Sequence, residues 1–336
     1  MDDAKPFGTI AVIGGGAWGT ALAHLCASNG VTTQLWAREQ SVVDTINTGC
    51  ENTVYLPGVP LAPSLKATHD LATACRAEAI IFVVPAQHAR ASMVALKAVA
   101  DDQMPIALCS KGIEQATGQL MSQVLEQVWP GARPAVLSGP SFARDVARGL
   151  PTAVTIACAD EALGRRWVAT IGAPHFRPYL STDVLGAELG GAVKNVLAIA
   201  AGVVEGRGFG ESARAALIAR GFAEFQRLGV AMGAEPQTMA GLSGLGDLIL
   251  TASSPQSRNM SLGVELGKGR TLKEIMAERN TVSEGVATAA AVRTLAEKAG
   301  IDMPICTAVA DLVSSAKNTD QIIADLLARP FKPEAK

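Results

Sequence analysis

Six short runs of apolar and β-branched residues punctuate the first 160 positions, separated by stretches of helical periodicity, and none follows Thr182. The runs are Thr9–Ile13, Thr32–Trp36, 79–84, 106–110, 135–138 and 153–156. Several are apolar throughout, as parallel strands covered on both faces require. Helical segments near 19–29, 40–48, 88–99, 117–127 and 160–170 supply the crossovers, which predicts a doubly wound parallel α/β sheet. After Thr182 the pattern predicts helices near 184–205, 211–231, 236–250, 258–268, 271–277, 284–299, 304–314 and 319–328, set off by Gly, Pro, Ser and Asn. A chain of 336 residues exceeds what one core serves. Two domains are expected, 1–184 with the sheet and 185–336 all-α, with 329–336 a loose Pro-containing tail.

Directly after the first run comes Gly14-Gly15-Gly16-Ala17-Trp18-Gly19, which fits G-x-G-x-x-G at Gly14, Gly16 and Gly19. Strand, small-residue turn and Ala-rich helix are the context in which helix N-terminal amides hold a pyrophosphate, so the first domain reads as Rossmann-type and dinucleotide-binding. A strict NAD site ends the second strand in an acid that binds the ribose hydroxyl. Here Trp36-Ala37 leads to Arg38 and then Glu39. Arg38 suits a 2′-phosphate and favours NADP(H) over NAD(H), while Glu39 can still accept from a ribose hydroxyl.

Lys194 is the one charged residue between Leu189 and Val204, inside a Gly/Ala/Val-rich helix. An ammonium buried there needs a partner, a lowered pKa or a polar cavity; otherwise its stem snorkels to water. Loops at strand ends add Pro85, Lys111-Gly112 and Gly139-Pro140-Ser141-Phe142-Ala143, where α/β sheets bind ligands. Together they describe a crevice with two lysines, Lys111 from the sheet and Lys194 from the helical half. The turn Ser254-Pro255-Gln256-Ser257-Arg258-Asn259 leads into a helix and offers a guanidinium, a hydroxyl, an amide and backbone N–H groups to a phosphate, or else is an N-cap beside a surface arginine.

Other classes of protein are disfavoured. Twenty-nine basic and thirty-one acidic residues show no basic run, which argues against nucleic acid as a partner. The apolar run 189–204 falls short of the roughly 20 residues a spanning helix needs, and the acidic start Met1-Asp2-Asp3 lacks signal-peptide character. A cytoplasmic protein without integral membrane association is expected. Six cysteines without a C-x-x-C pair and four scattered histidines predict reduced, mostly buried thiols and no metal. The apolar helical half makes a homodimer the expected assembly.

With these residues assembled, the chain closely resembles the soluble, bacterial-type NAD(P)-dependent glycerol-3-phosphate dehydrogenases. The matching stretches are 16–23, 110–114, 138–143, 188–195, 244–248 and 257–259, in order and across both halves. The resemblance implies reversible hydride transfer between nicotinamide and C2 of sn-glycerol 3-phosphate, giving dihydroxyacetone phosphate and feeding glycerophospholipid synthesis. It implies Lys194 as proton acceptor in oxidation and donor in reduction, with Lys111 and Asp247 beside it. Substrate contacts fall on Lys111, Gly139, Ser141, Lys194, Asp247, Ser257, Arg258 and Asn259. Cofactor contacts fall on Gly14, Gly15, Gly16, Ala17, Trp18, Gly19, Arg38, Lys111, Ala143, Arg258, Val282 and Glu284, to which the strand-end position adds Pro85. Gly15 stands where many members carry Ser, which removes a hydroxyl from the turn.

The residue types suit that chemistry. Reduction puts negative charge on the ketone oxygen, so a cationic acid stabilises the transition state more than the ground state. Oxidation near neutral pH needs the Lys194 pKa brought from about 10.4 toward 7–8, a change worth about 4 kcal/mol. Burial and Lys111 push that way, whereas Asp247 favours the ammonium and so has orientation as its task. Alternatives of other kinds are a 6-phosphogluconate or hydroxyisobutyrate type of dehydrogenase and a non-catalytic NADP-binding redox sensor.

Overall fold

The structure, a computed structural model, describes residues 4–279 and 283–330. Its strands are β1 (Thr9–Ile13), β2 (Thr32–Trp36), β3 (Lys66–Thr68), β4 (Ala79–Phe82), β5 (Pro105–Leu108), β6 (Arg133–Ser138), β7 (Thr152–Ala157) and β8 (Phe176–Ser181). They form one sheet of order β3-β2-β1-β4-β5-β6-β7-β8. The connecting helices are α1 (Ala17–Ser28), α2 (Gln40–Gly49), α3 (Leu71–Ala74), α4 (Ala86–Lys97), α5 (Met121–Val128), α6 (Ala143–Ala147) and α7 (Glu161–Ile171).

Alternation along the strands fills two cores. Val12, Leu35, Ile81 and Leu137 bury one face, and Ile13, Ile80, Phe82 and Val136 the other, which is why these runs are apolar at successive positions. Each such side chain contributes about 1.5–3 kcal/mol on burial. Strand order reverses between β1 and β4: one excursion goes to β2 and β3 on one side of β1, the next to β4 and beyond on the other. The turns after β1 and β4 therefore open at the switch point where doubly wound sheets bind ligands.

The pairs from β3 to β6 are parallel, as expected. β7 instead runs antiparallel to β6, with Leu137 opposite Ile156, and β8 parallel to β7. The connection from β6 to β7 carries only the short α6, so the chain turns back without a full crossover.

Among the described residues no strand follows Ser181. The helices are α8 (Val184–Gly206), α9 (Glu211–Met232), α10 (Pro236–Ala240), α11 (Asp247–Ser253), α12 (Arg258–Gly267), α13 (Leu272–Ala277), α14 (Glu284–Ala299), α15 (Pro304–Val313) and α16 (Thr319–Leu327). The single helix expected over 236–250 is broken by a π-helical turn, Leu242–Gly246, where three glycines in Gly241–Gly246 weaken helical preference. Of the expected tail, residues 331–336 lie outside the described residues.

The chain divides into two compact units: residues up to Gly191 with Ala234–Asp247, and Ala192–Gly233 with the residues from Leu248 on. The segment Ala234–Asp247, assigned by sequence to the helical half, thus groups with the sheet. In the helical unit α8 and α12 cross in backbone contact. A Cβ on Gly202 would lie 2.1 Å from Met260 O, and one on Gly263 2.1 Å from Ile199 O.

Contrary to the expectation from the run 189–204, shortness does not exclude a spanning helix. α8 runs 23 residues and is long and apolar enough by composition, but 94% of its apolar window is buried within the protein. Burial by other elements, not shortness, explains its apolar surface.

Candidate active site

In the sheet unit the glycine turn follows β1 directly. Gly14 sits at φ +126°, and its N–H donates to Trp36 O at 3.0 Å. A Cβ on Gly19 would lie 1.9 Å from Gly14 O, so only glycine lets α1 start this close to the turn. Gly16 caps α1 with no side-chain bond, no acidic residue stands in the first turn, and a Cβ on Gly16 would meet nothing within 4 Å. The positive end of the helix thus opens on space an anion can use. Beside it Trp18 buries its Nε1 without a hydrogen-bond partner among the described residues. An uncapped helix end, an open glycine and an orphaned indole N–H fit a dinucleotide.

Two residues of this region escaped the sequence reading. Asn52 is fully buried and donates from Nδ2 to Gly15 O at 2.9 Å and to Thr20 Oγ1 at 2.8 Å, bracing the turn. Its Oδ1 accepts from the Tyr55 N–H at 3.0 Å, and the Tyr55 side chain is exposed. Arg38 itself projects from the end of β2 with its side chain 82% exposed, bonded to Glu39 Oε1 at 2.8 Å. Pro85 is the exposed N-cap position of α4, and Ala143, the first residue of α6, packs on the edge of the core.

Lys111, Gly139, Ser141 and Asp247 come together in the same unit. Lys111 Nζ donates to Asp247 Oδ2 at 2.8 Å and to Gly139 O at 3.1 Å, and Ser141 Oγ donates to Gly139 O at 3.0 Å. The side chains of Lys111 and Asp247 are 15% and 1% exposed. An ion pair this buried costs about 3–5 kcal/mol to break from one side, because the other charge is stranded. Asp247 reaches Lys111 because the π-turn ends there and α11 begins with it. Ser138 was also missed: its Oγ is buried without a partner among the described residues, 3.1 Å from where a Cβ on Gly191 would stand, with Lys111 Cγ 3.3 Å from the same point.

In the helical unit Lys194 is 8% exposed and donates to Thr251 Oγ1 at 3.0 Å. Neighbouring Asn195 accepts at Oδ1 from Asn259 Nδ2 at 2.9 Å, and Asn259 Oδ1 accepts from the Gly285 N–H at 3.1 Å. One side chain thus joins α8, α12 and the first turn of α14, where Glu284 stands. Ser257 caps α12, accepting from the Met260 N–H at 3.2 Å, and Arg258 next to it is exposed. The cap and the exposed arginine coexist, so the two sequence readings of this turn are compatible. Val282 lies outside the described residues. Thr251 carried no sequence signal of its own, and Asn195 entered only as the last residue of the matching stretch 188–195.

With this geometry in place, comparison decides the family. Residues 9–164 match the family NAD-dependent glycerol-3-phosphate dehydrogenase N-terminus, and residues 183–324 match NAD-dependent glycerol-3-phosphate dehydrogenase C-terminus. The chain belongs to the NAD-dependent glycerol-3-phosphate dehydrogenases. Among curated relatives, a glycerol-3-phosphate dehydrogenase [NAD(P)+] of Parvibaculum lavamentivorans is 58% identical over 97% of this chain and 98% of its own length. One of Caulobacter vibrioides is 55% identical over 98% and 99%. The crystal structure of glycerol-3-phosphate dehydrogenase from Coxiella burnetii superimposes with a TM-score of 0.91 at 37% identity, covering 96% of this chain and 99% of that one. Among the enzyme readings of the sequence, these matches select the glycerol-3-phosphate family over the 6-phosphogluconate and hydroxyisobutyrate type.

Proposed function

We infer that this protein is an NAD(P)+-dependent glycerol-3-phosphate dehydrogenase, interconverting sn-glycerol 3-phosphate and dihydroxyacetone phosphate. The observation that carries the chemistry is Lys194, an amine on a buried apolar helix with its Nζ on the Thr251 hydroxyl. In reduction Lys194 donates a proton to the ketone oxygen as charge develops there; in oxidation it accepts the hydroxyl proton. Thr251 orients the amine. When bound, the nicotinamide supplies or takes up the hydride at C2.

The remaining residues divide by task. The glycine turn and the first turn of α1 hold the pyrophosphate, with Trp18, Pro85, Ala143 and Glu284 as further cofactor contacts. Arg38 takes the 2′-phosphate of NADP(H), and NAD(H) is accepted through ribose contacts. Lys111, Asp247, Gly139 and Ser141 position the substrate polar groups, and Ser257, Arg258 and Asn259 receive its phosphate. The sheet-bearing unit is the cofactor domain and the helical unit the substrate domain. The protein works in the cytoplasm as a homodimer and supplies glycerol 3-phosphate for glycerophospholipids.

The test is loss of absorbance at 340 nm with dihydroxyacetone phosphate and NADH or NADPH. Turnover is expected with both, and Lys194→Ala lowers kcat by about 10²–10⁴-fold. Cofactor binding without turnover in the native protein would instead identify a redox sensor.

A further inference from the structure

Lys111 sits on the turn between β5 and α5, and one helix grips that turn. Gln87 and Arg90 lie three residues apart on α4, so their side chains leave from one face. Gln87 Nε2 donates to Ile113 O at 2.8 Å, and its Oε1 accepts from the Gln115 N–H at 3.0 Å. Arg90 donates from Nε and Nη2 to the two oxygens of Glu114, each at 2.8 Å, and from Nη2 to Gln119 Oε1 at 3.1 Å. Thr117 Oγ1 donates to Glu114 Oε2, and the Gly118 N–H to Glu114 O at 2.8 Å. On the other side of Lys111, Ser110 Oγ donates to Val84 O.

The turn is therefore held at positions 110, 113, 114 and 115, with Lys111 between the anchors. Glu114 has a side chain only 10% exposed, and the Arg90 guanidinium holds its carboxyl below the usual carboxylate range. A two-bond fork fixes direction as well as distance, which a single ammonium contact does not. Neither Arg90 nor Glu114 is needed to satisfy Lys111, whose amine bonds Gly139 O and Asp247.

We propose that Arg90 and Glu114 are positioning residues of the dehydrogenase: their paired bonds on α4 set the place of the Lys111 amine over Gly139 and Asp247, and through it the handling of substrate. The proposal rests on Lys111 as a substrate contact. It predicts an effect that exists only while Lys111 is present. A clamp that merely stabilised the fold would act whether or not Lys111 is there.

A double-mutant cycle separates the two. Arg90→Lys and Glu114→Gln are each made in the native chain and in Lys111→Ala, and kcat, KM for dihydroxyacetone phosphate, NADPH Kd and Tm are measured. In the native background kcat/KM is expected to fall about tenfold; in Lys111→Ala the same change is expected to cost less than about twofold. Glu114→Gln, which keeps the side-chain shape, carries the test if Arg90→Lys does not fold. An equal loss in both backgrounds, or none in the native one, overturns the clamp alone. Native kcat/KM in Lys111→Ala by itself overturns the Lys111 reading, and the clamp with it.

Discussion

The glycine turn of the sheet unit and the polar side chains of the helical unit prepare for ligands in opposite ways. In the sheet unit the expected cofactor groups are backbone amides and an indole N–H, presented at an uncapped helix end and backed by glycines and Asn52. In the helical unit the expected substrate groups are side chains already hydrogen-bonded within the unit: Lys194 to Thr251, Asn259 to Asn195 and the Gly285 N–H, Ser257 to the Met260 N–H. Backbone held by the fold needs no partner to keep its place, whereas long side chains lose rotamer freedom and need neighbours to hold them. Substitutions in the first site that leave its backbone in place should therefore change ligand binding alone. Those in the second should change binding and stability together.

The largest stability effect expected concerns the helical unit's own frame. Glu224 is 2% exposed and accepts from the Ile305 N–H at 2.8 Å and the Cys306 N–H at 3.2 Å, capping α15. Burial pushes its carboxyl up to about 7 despite those bonds. A folded-state pKa above the unfolded value of 4.5 means folding takes up a proton between them. The stabilisation is complete below about pH 4.5 and is lost as pH rises through about 7, on the order of 3 kcal/mol. Glu224→Gln should flatten that slope in denaturant unfolding followed from pH 4.5 to 8. Glu188, also raised by burial to about 7 while accepting from the Ser122 N–H at 2.8 Å, should show the same loss in the sheet unit. A slope unchanged by either substitution would mean that burial does not govern these carboxyls.

Asn259→Ala tests the interlocking directly. It removes the donor to Asn195 Oδ1 and the acceptor of the Gly285 N–H, and so should cost about 1–3 kcal/mol of stability while raising KM for dihydroxyacetone phosphate. A rise in KM with unchanged Tm would break the contrast between the units.

Much of this was legible in the sequence, for physical reasons. Strands buried on both faces, such as β4, must be apolar at every position, and long helices such as α8, α9 and α14 carry enough periodic residues to set their limits within a few positions. The edge strands were not readable. β3 has only three residues, and β8 carries Arg177 and Pro178, tolerated because its outer side pairs with no strand among the described residues. Motif residues such as Gly14, Lys111 and Arg258 announce themselves through local chemistry. Asn52, Thr251 and Asn195 do not, because their roles depend on partners 37, 57 and 64 positions away. The π-turn that delivers Asp247 was hidden for a related reason: its glycines read as weak points of one helix, and only packing decides how such a helix breaks.

Gly16→Ala should produce the complementary result to Asn259→Ala. Gly16 has φ −70°, which alanine adopts without strain, and its Cβ would meet nothing within 4 Å among the described residues. Tm should hold within about a degree, since the change falls within the few tenths of a kcal/mol typical of surface sites. The added methyl would occupy the space before α1, so Kd for NADH and NADPH should both rise about tenfold, or 1.4 kcal/mol. A fall in Tm comparable to that of Asn259→Ala would show the turn to be interlocked after all.

The smallest effect expected distinguishes the two cofactors. Arg38 and Glu39 form an ion pair so exposed that solvent screens most of its worth, and removing it should leave stability unchanged. Against a 2′-phosphate the same guanidinium makes paired, charge-assisted bonds, and Arg38→Ala should weaken NADPH binding about tenfold while changing NADH by less than about twofold. Freed of Arg38, the Glu39 carboxylate would also repel the phosphate and accept from a ribose hydroxyl, which widens the difference in the same direction. Equal loss for both cofactors in a fluorescence titration would place Arg38 against a part of the dinucleotide they share, and NADP preference would then have to come from elsewhere at the end of β2.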